Sequence, residues 1–226
     1  MMLLCLFIVS VMLGGGVMAR TLNQNVRTQY TVHEAEILLG MMDSVRDYTG
    51  DQIRPILSHQ SEDRFWPESV PAYATQQVFE RMRQQPEYSR YSYKEAVLNP
   101  TSLRDKADEF EQNVIQQFRD GQIPVDSRVS GRKITPQGER FYAAKAISVS
   151  KASCLQCHST PDVAPADMVE HYGTENGFGW QLNEIVGAQM IYVPMDDFDK
   201  INRQLLSQVM AVFIAVLAVV LIFLRV

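Results

Sequence analysis

The sequence predicts an α+β fold: an antiparallel sheet with flanking helices, set on one face, a long N-terminal helix, and one or two transmembrane helices. Three observations carry this. Apolar residues crowd into both ends of the chain, "MMLLCLFIVSVMLGGGVMA" at the start and "LLSQVMAVFIAVLAVVLIFL" at the finish. Between them, helical spacing and strand-like alternation follow one another in the order helix, helix, strand, helix, hairpin, helix, strand. The turn signal "TPQGE" joins two of the strands into that hairpin.

Residues 1–21 form an N-terminal membrane anchor or signal segment. It ends in "VMAR", where Ala19 and Val17 suit signal-peptidase cleavage, but no Lys or Arg precedes the apolar run, which favours a retained anchor. Residues 22–203 form the exported domain. Val26, Tyr30, His33, Ile37, Met41, Val45 and Tyr48 recur at spacings of three and four, predicting one long amphipathic helix with these on its inner stripe and Pro55 as its limit. After the loop "FWPESVP", residues 72–85 read as a second helix ended by Pro86, and the partly alternating "YSRYSYKEAVL" as a strand. In "NPTSLRDKADEFEQNVIQQFRDG", Thr101 or Ser102 supplies a hydroxyl cap to a helix carrying Leu103, Phe110, Val114 and Phe118, and Gly121 stops it. The hairpin strands run over roughly 126–134 and 140–150, with Phe141, Ala143, Lys145, Ile147 and Val149 on one parity. "APADMVEHYG" reads as a short helix and "EIVGAQMIYVPM" as a buried strand. Residues 204–226 supply the C-terminal transmembrane helix: only Ser207 and Gln208 are polar between 205 and 224, about the length that crosses a bilayer, and Arg225 follows as a headgroup anchor.

With 226 residues, 46% of them hydrophobic, the chain can bury the core of one domain and still carry appendages. A formal net charge of −5 and a pI near 5.4 leave no surface suited to a polyanion, so nucleic acid is excluded as a partner. No Ser/His/Asp set, phosphate loop or suitably spaced carboxylate pair appears, so the chain is not expected to be an enzyme.

Cysteine is scarce, 3 in all, yet "KAISVSKASCLQCHSTPDVAP" sets Cys154, Cys157 and His158 in the string C-x-x-C-H. Two thiols at this spacing reach the two vinyl groups of a haem, and the imidazole beside the second is placed to ligate the iron, giving one covalently bound haem c. Other readings use the same residues. Zinc wants four ligands, with His171 as the fourth, but no second Cys or His pair exists. A thioredoxin-like redox pair needs a βαβ context, whereas a hairpin precedes this string. A disulfide between the two cysteines closes only a tiny loop and stabilises little. Haem c is attached on the outer face of bacterial membranes. The haem reading therefore places residues 22–203 on the periplasmic or extracytoplasmic side of the inner (cytoplasmic) membrane and Arg225 inside. Cys5, in the first apolar run, serves neither haem nor disulfide.

Five motifs in order, "FWPESVPAYATQQVFERM", "LNPTSLRDKADEFEQ", "CLQCH", "APADMVEHYGTENGFGW" and "EIVGAQMIYVPMD", resemble the bacterial PAS-like c-type haem domain, a family often found at the front of membrane sensors. The resemblance covers about residues 40 to 197. It implies a PAS-like sheet with the haem held against it, Cys154 and Cys157 as thioether donors, and His158 as the proximal iron ligand. Some relatives use a cysteine thiolate from the segment before the second helix as sixth ligand. No cysteine stands there in this chain, and His59, in "ILSHQSEDRFWP", occupies that neighbourhood. His59 is thus the predicted distal iron ligand. Met41 and His33, on the inner stripe of the first helix, are the runners-up, and His171 reads as helix surface. Arg132, Lys133, Arg140 and Lys145 on the hairpin either pair with haem propionates or make a solvated face. Phe178 and Trp180 pack in the core or on the porphyrin.

Two functions are compatible with a membrane-anchored mono-haem protein. One is a redox or ligand-sensing module that acts through a signalling partner. The other is an electron-transfer cytochrome c subunit of a larger membrane complex. A homodimer through the membrane helices is expected, since the Gly14–Gly16 run permits close approach.

Overall fold

The computed structural model describes residues 28–60, 65–136 and 138–195, with Thr21, Val26 and isolated positions at 207–209, 211, 214–215 and 218. The predicted N-terminal anchor and C-terminal transmembrane helix fall, apart from those isolated positions, outside the described residues. Among the described residues no helix is long and apolar enough to cross a membrane.

The predicted antiparallel sheet forms from β1 (Ser92–Val97), β2 (Arg128–Thr135), β3 (Gly138–Ser148) and β4 (Ile185–Pro194), paired in the order β1-β4-β3-β2. The hairpin pairs β2 with β3, Thr135 facing Gly138 across the turn. Strand β4 lies between β1 and β3 and is buried on both parities. A strand apolar on both sides needs cover on both, and the helices supply it. They flank two faces of the sheet where the sequence reading expects one. On one face α1 (28–48) and α3 (Pro71–Arg83) bury Ala35, Leu39, Met42 and Phe79 against Tyr93, Phe141, Ala143, Ile191 and Val193. On the other, α4 (Glu109–Arg119) buries Val114, Ile115 and Phe118 against Ala96, Ala144, Ala188 and Met190.

Three expectations are corrected. The inner stripe of α1 consists of Thr31, Ala35, Leu39 and Met42, while Tyr30, Ile37, Met41 and Tyr48 are each at least half exposed. Side chains of small to moderate size let the helix approach the sheet closely, and the bulkier aromatic stripe is left outside. Met41 and His33 therefore lie on the outer surface, which removes both as distal-ligand candidates. Pro55 does not end the helix. The chain passes through a π-helical turn, Thr49–Ile53, and continues as α2 (Arg54–Gln60). The widened turn accommodates the ring and the missing N–H of Pro55 in the first turn that follows. The cap of α4 is Asp108, not Thr101 or Ser102. Its Oδ1 accepts from Glu111 N at 2.8 Å and Glu111 Oε2 accepts from Asp108 N at 2.9 Å, a reciprocal capping box. Leu103 belongs to a separate 3-10 turn, Leu103–Asp105, and is exposed.

A row of polar side chains crosses the otherwise apolar α1 face: Glu95 on β1 stands opposite Gln189 on β4, which stands opposite Lys145 on β3. Asp43 of α1 meets this row, accepting from Gln189 Nε2 at 2.7 Å and from Lys145 Nζ at 2.6 Å.

Candidate functional site

The C-x-x-C-H string closes within one helical turn. Beyond β3, a 3-10 turn at Ala152–Cys154 runs into α5 (Leu155–His158), so the spacing i, i+3, i+4 brings Cys154, Cys157 and His158 to one side. All three line a cavity of about 560 Å³, within the size range of cofactor sites. Its apolar wall includes Val70, Val97, Ile147, Val149, Met168 and Val186, and its charged side chains include Arg46, Arg54, Glu95 and Arg104.

His158 is held from two directions. Its Nδ1 lies 2.8 Å from the carbonyl oxygen of Gly177. A carbonyl only accepts, so Nδ1 carries the hydrogen and Nε2 keeps its lone pair. Trp180 stacks on the ring at 3.9 Å between centroids and 13° between planes. The loop is zipped on by backbone bonds: Trp180 N donates to His158 O at 3.1 Å and Gly179 N to Ser159 O at 2.8 Å. Burial holds the His158 pKa below the ordinary value although the Gly177 bond opposes this, and the charge of Arg54 adds to the depression. The ring therefore stays neutral, as metal ligation requires. Burial also pushes the Cys157 thiol up, and both cysteines are free, partly exposed thiols. Arg54 braces the loop, its Nη2 donating to Ser153 O at 2.9 Å and Gln156 Oε1 at 3.1 Å.

Gly177 makes this geometry possible. Its φ is +82°, and a Cβ there would stand 2.2 Å from Thr101 Oγ1. Asn99 secures the same turn, its Oδ1 accepting from Gly177 N at 3.2 Å and its Nδ2 donating to Phe178 O at 3.2 Å. Thr101 Oγ1, in the cavity wall, is buried without a hydrogen-bond partner among the described residues.

These residues fit a covalently held haem. Two thiols and an imidazole of fixed tautomer share one turn, and the wall is apolar. The hairpin cations do not take part. Lys145 pairs with Asp43, Lys133 with Asp108, Arg132 with Glu139, and Arg140 with the Ser92 hydroxyl; none of the four lines the cavity. Trp180 packs on the predicted ligand itself, and Phe178 is half-buried. His171 is exposed on α6 (Ala166–Tyr172), edge-on to Tyr172, as a surface residue. Among the described residues no group of three or more His, Cys, Asp or Glu is arranged to hold a metal. His59 falls in α2, whose Arg54 lines the cavity; the His59 side chain is outside the described part of the structure.

Sequence reasoning misses Arg46, Glu95 and Thr101. A signal for Glu95 is present: it shares strand parity with Tyr93 and Val97, so a carboxylate faces inward between two apolar residues. Arg46 follows Leu39 and Met42 at spacings of seven and four, and becomes visible once the inner stripe of α1 is placed correctly.

The family model described as Tll0287-like matches residues 23–194. Among solved structures, the crystal structure of the cyanobacterial heme-protein Tll0287 superposes with a TM-score of 0.52 at 13% identity, covering 72% of this chain and 94% of that one. At that identity the likeness establishes the fold alone. No curated protein matches significantly. With residues 23–194 of 226 matched, the chain belongs to the Tll0287-like family.

Proposed function

We propose that the chain is a membrane-anchored mono-haem c-type protein whose extracytoplasmic domain acts as a redox or ligand-sensing module. The observation that carries this is His158, locked by Gly177 and Trp180 with Nε2 as its free nitrogen beside two free thiols on one cavity wall. The heme-protein Tll0287, of the same fold, supports it. A haem in this cavity supplies one-electron iron chemistry. Cys154 and Cys157 would hold the haem through thioether bonds, and His158 and His59 of α2 would ligate its iron. Residues 1–21 and 204–226 are the anchors, with the domain on the outer side of the cytoplasmic membrane.

The wild-type protein, denatured in alkaline pyridine, is expected to show the spectrum of a thioether-linked porphyrin, and the Cys154→Ser/Cys157→Ser variant to release all its haem into acid acetone. Colour removed from the wild type by acid acetone would end the proposal.

The clamped His158 ring favours a second reading, an electron-transfer cytochrome c subunit of a larger membrane complex, because a ligand fixed on edge and face moves little when the iron changes charge. Carbon monoxide separates a ligand sensor from a carrier. A carrier with both ligands fixed leaves the reduced spectrum unmoved, a ligand sensor shifts it, and His59→Ala binds the gas in either case. An unaltered low-spin spectrum in His59→Ala refutes the distal assignment.

A further inference from the structure

We propose that Glu95 is a redox-linked proton site: its carboxylate binds one proton when the haem iron gains an electron and releases it on oxidation. This rests on the haem reading above.

The placement comes first. Glu95 is 5% exposed and lies in the wall of the cavity that carries Cys154, Cys157 and His158. Its Oε2 pairs with Arg46 Nη1, and its Oε1 accepts from Thr75 Oγ1 at 2.8 Å and Tyr93 OH at 2.7 Å.

Each of those hydroxyls has one hydrogen and more than one acceptor. Thr75 Oγ1 also lies 3.0 Å from the carbonyl oxygens of Pro71 and of Ala72. Tyr93 OH also lies 3.2 Å from Gln189 Oε1, which is turned toward it because Gln189 Nε2 donates to Asp43. The cluster therefore holds fewer hydrogens than its acceptors can use. If Thr75 swings its hydrogen to the backbone, or Tyr93 swings its own to Gln189, a hydroxyl oxygen is freed to accept from a protonated Glu95. No heavy atom has to move. A buried carboxylate without such a slot is left with an unsatisfied O–H on protonation, at the cost of a lost hydrogen bond.

The surrounding charges single out Glu95. On α1, Arg46 stays a cation in both states: burial works against its charge, but Glu95, Tyr93 and Asp43 more than offset this and raise its pKa. Asp43 on the same helix is matched by Lys145 of β3, with Arg128 of β2 at 4.0 Å. Within β1, burial and the charge of Glu95 push the Tyr93 phenol well up, so it stays neutral. On α3, Gln76 is bonded to Glu80, itself paired with Arg83. Across the cavity, Arg54 is engaged with the loop at Ser153. Two carboxylates line the cavity, Asp105, paired with the exposed Arg104 at 3.0 Å, and Glu95; Glu95 is the one bonded by hydroxyls that can turn to admit a proton, where an added electron in an apolar surrounding needs a compensating charge. The step balances. A one-electron donor, a reduced haem or flavin, supplies the electron; solvent water supplies the proton; the Glu95 carboxylate becomes a carboxylic acid.

The test is redox potentiometry of the haem-loaded full chain across pH, begun once the pyridine spectrum has shown the haem to be present. The wild-type midpoint potential is expected to fall as pH rises, by up to about 59 mV per pH unit, one proton per electron. Glu95→Gln should flatten that slope. The reduced-minus-oxidised infrared spectrum should gain a carboxylic C=O band in the wild type that Glu95→Gln lacks. A pH-independent wild-type potential, a slope that survives in Glu95→Gln, or no carboxylic band on reduction overturns the proposal. If Glu95→Gln does not assemble, Glu95→Asp decides: it must move the frequency of the carboxylic band, and a band left in place, as one from a haem propionate would be, overturns the proposal. Absence of covalent haem defeats the underlying reading as well, and the pyridine spectrum separates that failure from this one.

Discussion

Gly177→Ala is expected to destabilise the domain by about 3 kcal/mol and to remove most of its covalently attached haem. Two costs combine. The first is backbone strain: φ at Gly177 is +82°, where a side chain costs about 1–3 kcal/mol. The second is collision. The added Cβ would meet Thr101 Oγ1 at 2.2 Å and Thr101 Cα at 2.7 Å, and the Cα cannot rotate away. Overpacking of this kind costs about 1–3 kcal/mol. Relief by displacing the loop withdraws the Gly177 carbonyl from His158 Nδ1, so the ring loses its tautomer and its aim together. Gly173→Ala separates the two costs, because φ there is +79° but nothing lies within 4 Å of the added carbon. It should cost the strain alone, about 1–3 kcal/mol, and keep its haem. Thermal unfolding and the pyridine spectrum of both variants are the measurement, and equal losses in the two would show that the contact with Thr101 plays no part.

The parts of this site written in one turn of chain are the parts that can be read from sequence. Cys154, Cys157 and His158 are spaced so that any helical turn brings them together. Strand pairing is nearly as legible, since parity in β3 and the turn at its start fix the hairpin register. The inward face of α1 is not. The stripe through Tyr30, Ile37, Met41 and Tyr48 carries the larger side chains, yet the smaller set Thr31, Ala35, Leu39 and Met42 is the one buried. That choice is made by the partner surface, which local periodicity does not contain. Placing the stripe one residue off hides Arg46, and with it the pair to Glu95. Thr101 and Gly177 are harder still: their closeness joins loops 76 residues apart, and only the fold brings them within contact.

Arg46→Met is expected to be among the most damaging single charge removals in the domain, at about 3 kcal/mol. The reason is the partner left behind. Glu95 is buried, the guanidinium is its counter-ion, and the two hydroxyls that also bond it carry no charge. An uncompensated buried carboxylate costs far more than the ion pair contributes. Arg46 is itself partly open to the cavity, which places the value at the low end of the range seen for buried pairs. The double variant Arg46→Met/Glu95→Gln removes the stranded charge and should recover at least half of the loss, since a neutral amide keeps hydrogen bonds to Thr75 and Tyr93. Urea unfolding of the two single variants and the double, with unchanged m-values, yields the coupling directly. Lys151→Met, which breaks a comparably short pair to Asp51 in which both side chains are more than half exposed, should leave the midpoint where it was. If Arg46→Met proves as silent as Lys151→Met, solvent reaches Glu95 freely, and the cavity wall is too wet to couple a proton to the haem electron.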